Sequence, residues 1–172
     1  MTIHSEHPFL DPEPDPVRRF RGRTGGVVSL WTSGAGEARA GLTVSSLMVA
    51  AGEPGRLLAL LDPDSDLFER LRDTGRAVVA LLAWADRDLA EAFAGKLPAP
   101  GGVFGMARFE PTGHGPRLVS ASTYGLVRWE SDVLVGWSAL VTTVIEELHF
   151  GEDRDALVHR RGRYYRNGTE DR

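Results

Sequence analysis

Cysteine is absent from the 172 residues, which removes disulfides, thiolate-bound metals, iron–sulfur clusters and a thiol nucleophile from consideration. No apolar stretch approaches the roughly 20 residues of a membrane span. The opening, MTIHSEHPFLDPEPDPV, has no apolar signal core, so the expectation is a soluble, cytoplasmic chain without a membrane partner. Positive charge is not in surplus either: the formal net charge of −4 offers no basic footprint for nucleic acid. Neither glycine-rich phosphate loop, GxGxxG or GxxxxGK[ST], occurs, and there is no Gly-x-Ser-x-Gly elbow to anchor a serine hydrolase. Apart from His4 and His7, in the N-terminal arm, no two histidines stand at helical metal-ligand spacing, and no metal site is expected. Enzymes that work without nucleophile, metal or triad often let a bound organic cofactor do the chemistry.

What is present is the composition of an ordinary globular protein, 42% apolar and 26% charged, long enough for one domain with a sizeable core. Residues 1–16 read as a proline- and acid-rich extended arm, 17–166 as one domain, and 167–172 as a tail. Asp15-Pro16 has the signature of a helix start, with a basic last turn at Arg21 and Arg23. Residues 25–34 and 37–52 read as two strands around a turn at 33–36. The run 56–62 reads as a strand buried on both faces, followed by a helix in which Asp66 and Glu69 have capping-box spacing and Gly75 is the stop. A second buried strand over 77–83 precedes a helix over 86–95 and a Pro/Gly-rich loop long enough for a lid. The last third reads as strands over 117–130, 133–150 and 155–166. In the second of these, period two places Val133, Val135, Trp137, Ala139, Val141, Thr143 and Ile145 on one face. About seven strands with three short helices predict a mainly β fold, an antiparallel barrel with peripheral helices.

One stretch stands out chemically. In AGLTVSS, Thr43, Ser45 and Ser46 crowd hydroxyls onto a strand preceded by Gly41. Two readings are open: an exposed polar strand face, or hydroxyl and backbone donors facing the edge of a heteroaromatic ring or a phosphate.

The segments GLTVSS, LLALLDPDSDLFERL, GRAVVALLAWADRDLAEAFAG and LVHRRGRYY, in this order between about Val27 and Tyr165, resemble the flavin reductase-like, FMN-binding family. The resemblance implies an FMN-binding split barrel of antiparallel Greek-key type. It also implies a homodimer with FMN or FAD near the subunit interface, hydride transfer from NADH or NADPH to that flavin, and a monooxygenase partner for the reduced flavin. Carried over by position, it assigns Thr43, Val44, Ser45 and Ser46 to the ring and ribityl chain, with Trp31 and Thr32 close to the ring. It assigns Asp62, Pro63 and Ser65 to the ribityl and phosphate groups, and Ala80 and Leu81 to the strand whose backbone faces the ring. His159, Arg161, Arg163 and Tyr164 fall at the mouth of the site, with His159 as the candidate for a catalytic contact. A serine at a helix start suits a phosphate; Asp62, Asp64 and Asp66 oppose one, so at least one of them must point away.

Two departures matter. Ala80 stands where the family often has Asn, and Gly136-Trp137-Ser138 stands where many reductases have Gly-Asp-His, whose histidine is associated with nicotinamide use. The second departure weighs against NAD(P)H oxidation more than against flavin binding. The alternatives are a non-catalytic flavin-binding protein, a split barrel holding haem or a deazaflavin coenzyme, and a barrel that binds nothing.

Overall fold

The computed structural model describes residues 15–153 and 155–167; most of the expected arm and tail lies outside them. The first described element is α1 (Pro16–Thr24), which starts as the sequence predicts: the Asp15 side chain accepts from the Val17 N–H at 2.9 Å. Next come β1 (Gly26–Val27), β2 (Ser29–Ser33), β3 (Ala40–Val44), β4 (Met48–Ala50) and β5 (Arg56–Leu61). Helix α2 (Asp66–Thr74) leads into β6 (Arg76–Leu81), and α3 (Arg87–Phe93) follows. The remainder is β7 (Phe109–Thr112), β8 (Gly115–Leu118), β9 (Tyr124–Val135), β10 (Ser138–His149), β11 (Ala156–Arg160) and β12 (Arg163–Asn167).

The fold is mainly β and antiparallel, as the sequence predicts. Seven strands form one sheet in the order β3-β2-β6-β9-β10-β5-β4, flanked by a three-stranded sheet β1-β11-β12 and a β7-β8 hairpin. The large sheet curls until its ends meet at one corner. There the Ser46 hydroxyl donates to the Leu60 carbonyl at 2.9 Å and accepts from the Leu60 N–H at 3.0 Å, so a side chain stands in for a ladder rung. No ladder joins β3 to β5, and the outer edge of β3 is left unpaired among the described strands.

Two apolar cores lie on opposite faces of the central strands. Trp31, Val79 and Val127 face one core, with Leu61, Leu67 and Leu71 behind them. Leu30 and Ala80 face the other, with Leu82, Leu89, Phe93 and Leu157. This two-sided burial is why β6 reads as a continuous apolar run rather than an alternating one, while β2, buried along its whole length, includes Ser29, Thr32 and Ser33 whose hydroxyls are hydrogen-bonded inside. Each fully buried leucine contributes about 1.5–3 kcal/mol relative to exposure.

Several expectations need correction. β5 buries one face only: Leu57, Ala59 and Leu61 point inward while Leu60 is exposed. The helix cap at α2 is Ser65, whose hydroxyl accepts from the Phe68 N–H at 3.3 Å, not the Asp66–Glu69 pair. Gly75 does end that helix in the left-handed region, at φ 69°. The strand expected over 37–52 breaks at 45–47, and β4 pairs with β5 instead. The strand expected over 117–130 divides into the end of β8 and the start of β9. The single face expected along 133–145 is interrupted by the Gly136-Trp137 turn and by register shifts at Thr142/Thr143 and Ile145/Glu147. The last strand is a hairpin, β11–β12, turning at Arg161 and Gly162 with φ of 55° and 75°.

Candidate functional site

A closed circuit of contacts surrounds the polar end of β3. The Thr43 hydroxyl donates to the Ala90 carbonyl of α3 at 2.7 Å. Glu91, the next residue on that helix, hydrogen-bonds Tyr164 of β12. The Tyr164 ring meets His159 of β11 edge to face, centroids 5.2 Å apart, and His159 pairs across the ladder with Gly26 of β1. Gly26 in turn backs onto Ser45, two residues beyond Thr43: a Cβ at Gly26 would stand 2.5 Å from the Ser45 carbonyl oxygen. The chain therefore requires glycine at 26 for close approach of two backbones. Within this circuit Ser45 is exposed, and its hydroxyl makes no hydrogen bond among the described residues.

The electrostatics of the circuit are those of a neutral, half-dry surface. Burial pushes the Tyr164 phenol up to about 12, with Glu91 adding to the shift by its charge and hydrogen bond, so the O–H is retained. Burial also holds the His159 imidazole below its ordinary value; Lys96 and Arg21 add to that and Glu91 opposes it. Near neutral pH the pair is a protonated phenol engaged with Glu91 beside an uncharged imidazole ring.

The other sequence-derived candidates fall in several places. Trp31 is wholly buried, its indole N–H donating to the Ser29 hydroxyl at 3.1 Å, so it is a core residue and has no surface to offer a ring. Thr32 is buried too and donates to the Pro116 carbonyl at 2.5 Å. The side chains of Val44 and Ala80 lie in the two cores, leaving only their backbones available. Leu81 is partly exposed beside the Thr123 carbonyl that its N–H meets at 3.0 Å. Ser46 is engaged by Leu60. Asp62, Pro63 and Ser65 form the entry to α2, where the Asp62 carboxylate accepts from the Asp64 N–H and the Ser65 hydroxyl donates to the Asp62 carbonyl. Asp62, Asp64 and Asp66 are all exposed around that entry. Arg161 and Arg163 occupy the β11–β12 turn, both exposed, and the Arg161 N–H donates to the Gly22 carbonyl of α1 at 2.7 Å. Of the hydroxyls in AGLTVSS, then, two serve the fold and Ser45 is the one left over.

Gly26, Ala90 and Glu91 were not singled out by the sequence. Glu91 sits on the polar side of an amphipathic helix, where a carboxylate has no distinguishing pattern. Gly26, in a Gly-Gly pair opening a strand, carried the available signal of close backbone approach.

Two open depressions lie nearby, one of about 600 Å³ beside Pro63, Ser65, Phe68 and Arg72 and one of about 520 Å³ beside Arg39, Gly41, Gly102 and Phe104. Neither includes Ser45, His159 or Tyr164. The β9–β10 hairpin ends in an apolar tip: Val133, Leu134 and Val135 are at least half exposed and Trp137 is 96% exposed. Gly136, at φ 60°, supplies the positive φ that a two-residue hairpin turn needs.

This architecture is the split barrel of solved flavin reductases. Residues 21–168 match the family model described as flavin reductase like domain, and the chain belongs to that family. No curated protein sequence matches it. Among solved structures, the NADH:FAD oxidoreductase SgcE6 of Streptomyces globisporus C-1027, in complex with NAD and FAD fragments, superposes with a TM-score of 0.80 at 18% identity over 91% of this chain and 93% of that one. The styrene monooxygenase flavin reductase SMOB of Pseudomonas putida S12 gives 0.79 at 19% identity over 91% and 99%. The flavin reductase PheA2 in its native state gives 0.79 at 20% identity over 89% and 97%.

Proposed function

We propose that this protein binds a flavin nucleotide, FMN or FAD, beside the free edge of β3, and that it carries hydride from NADH or NADPH to that flavin as the reductase component of a flavin-using monooxygenase. The observation that carries the reading is the unpartnered Ser45 hydroxyl beside an unpaired strand edge, inside the circuit closed by His159 and Tyr164. The residues present fit a flavin. A ring edge alternating N–H and C=O positions asks for short donors and acceptors that do not fill the space, and the β3 edge with Ser45 supplies them.

The chemistry a bound flavin supplies is acceptance of a hydride from a reduced nicotinamide. The role of this chain is positional. The backbone of Thr43–Ser46 and the Ser45 hydroxyl hold the ring edge. The Tyr164 ring lines the mouth with its phenol kept protonated by burial and by Glu91, and His159, kept neutral, lines it without attracting a competing anion. Fixed donors of this kind stabilise charge that develops on a bound acceptor without reorganising. No side chain is required as acid or base, which matches the absence of any triad.

A single chain leaves this site shallow. The apolar tip of the β9–β10 hairpin supports a homodimer in which a second copy covers both the tip and the site. A second reading, flavin binding without nicotinamide turnover, is favoured by Gly136-Trp137-Ser138 standing where many reductases have Gly-Asp-His.

Fluorescence titration with FMN and FAD tests the site, comparing the native chain with Ser45→Ala. Loss of one hydrogen bond weakens binding about five- to tenfold. Equal affinities in the two proteins would place the flavin elsewhere, and steady-state NADH and NADPH oxidation with added flavin separates the two readings.

A further inference from the structure

We propose that the depression beside Arg39, Gly41 and Phe104 binds the adenosine end of a dinucleotide, FAD or the nicotinamide donor, whose reacting ring lies at Ser45; the inference rests on the flavin reading above. Placement on one strand is the first argument. Arg39, extended at φ −69° and ψ 143°, leads directly into β3, and period two puts Arg39, Gly41, Thr43 and Ser45 on the same face. The middle of that face is taken by α3: a Cβ at Gly41 would stand 2.6 Å from the Phe93 ring, and the Thr43 hydroxyl meets the Ala90 carbonyl. The two ends, Arg39 and Ser45, are exposed, and the unpaired edge of β3 runs between them. Gly41 and Ser45 are separated by roughly 13 Å of strand and Arg39 and Ser45 by roughly 20 Å. That separation suits the two ends of a dinucleotide and exceeds the reach of a mononucleotide.

The make-up of the depression is the second argument. Its volume of about 520 Å³ is that of a small-molecule site. The Arg39 guanidinium lies over the Phe104 ring, 4.6 Å from its centroid. Phe93 and Phe109 hold that ring edge to face, each with its centroid 5.0 Å away. A flat guanidinium seated on a fixed aromatic ring is a ready platform for a third flat group such as a purine. Gly101 and Gly102, at φ 83° and 92°, bring backbone to the rim, and a Cβ at either would meet no atom within 4 Å. The space is therefore left clear of side chains.

Charge, the third argument, decides what is held. Glu37 and Asp66 line the same depression as Arg39, and one guanidinium against two carboxylates does not favour a bare phosphate. It favours a neutral base and its sugar. The carboxylates accept hydrogen bonds from ribose hydroxyls and from the exocyclic amine of adenine, while the guanidinium stacks on the base. The same two carboxylates oppose a 2′-phosphate, so a nicotinamide donor seated here is NADH rather than NADPH.

The test compares the native chain with Arg39→Ala, Arg39→Lys and Glu37→Gln, each checked for folding by thermal melts. FMN and FAD affinities are read by fluorescence, and kcat/KM for NADH, NADPH and reduced nicotinamide mononucleotide by steady-state turnover. If the adenosine is that of FAD, the native chain prefers FAD to FMN. That preference falls about tenfold in Arg39→Ala and also falls in Arg39→Lys, which keeps the charge but not the plane. If it is that of the donor, the preference for NADH over the mononucleotide falls in those variants instead, and Glu37→Gln narrows the gap between NADH and NADPH. Either pattern supports the site. Flavin binding with every preference the same in all the variants overturns the adenosine site and leaves the flavin reading standing. If the native chain binds neither FMN nor FAD, the flavin reading falls and the adenosine site falls with it.

Discussion

The Thr43 hydroxyl and the Ala90 carbonyl meet at 2.7 Å, and that carbonyl also accepts the Ala94 N–H at 3.0 Å. One oxygen thus ties the last described turn of α3 to the end of β3 and fixes the wall on which Glu91 reaches Tyr164. Thr43→Val keeps the shape and removes the donor without stranding the acceptor, which retains its helical bond. The expected loss is about 1 kcal/mol, seen as a fall in Tm of about 2–4 °C for a chain of this size.

Gly26 and Ser45 define the opposite wall. In Gly26→Ala the new Cβ meets the Ser45 carbonyl oxygen at 2.5 Å, and because that oxygen is backbone the chain itself must shift. A cost of about 1–3 kcal/mol is expected, read from the urea midpoint, together with weaker flavin binding because Ser45 moves. Unchanged stability would show that the two backbones are not held in this contact.

Burial, reinforced by Lys96 and Arg21 and opposed by Glu91, lowers the His159 pKa in the folded chain below its ordinary 6.5. Between the two values the unfolded chain binds more protons, so stability from this group is fully present above pH 6.5 and declines as pH falls toward the folded value. His159→Gln should therefore show a flatter stability profile than the native chain between about pH 5 and 7. The measurement is a series of denaturant midpoints across that range.

Trp137 occupies the tip of the β9–β10 hairpin with 96% of its surface exposed, beside Val133, Leu134 and Val135. An apolar tip of this kind is a liability in a lone chain. Trp137→Ser is expected to weaken a dimer measurably in sedimentation velocity while leaving the monomer fold intact by circular dichroism. A native chain that sediments as a monomer at micromolar concentration would contradict the dimer.

The parts of this molecule governed by local chemistry were legible in the sequence. Asp15-Pro16 marks the start of α1, Gly75 ends α2, and β6 is continuously apolar between Ala77 and Leu81 because a core lies on each face. Other contacts have no local pattern to announce them. Trp31, which the resemblance sets close to the ring, is buried, with its indole N–H donating to the Ser29 hydroxyl two residues away. Ser46, which the resemblance sets beside the ribityl chain, also ties β3 to Leu60, 14 residues away. Arg161-Gly162 hides a two-residue turn because arginine is an unusual occupant of a positive φ, so one long strand was read where a hairpin exists. Ser65, which the resemblance sets beside the phosphate, also caps its own helix. The surface around Ser45 is assembled from β1, β3, α3, β11 and β12, and only the β3 and β11–β12 parts carry a recognisable local pattern.

The central claim is nicotinamide-dependent reduction of a flavin held at this groove, and an anaerobic absorption spectrum tests it most directly. The protein is mixed with FMN, then with NADH, then with NADPH, and the flavin band near ~450 nm is followed in time. The account predicts a perturbed band that bleaches far faster than that of free FMN under the same nucleotide. A perturbed band that neither nucleotide bleaches, or a band identical to that of free FMN throughout, would contradict it.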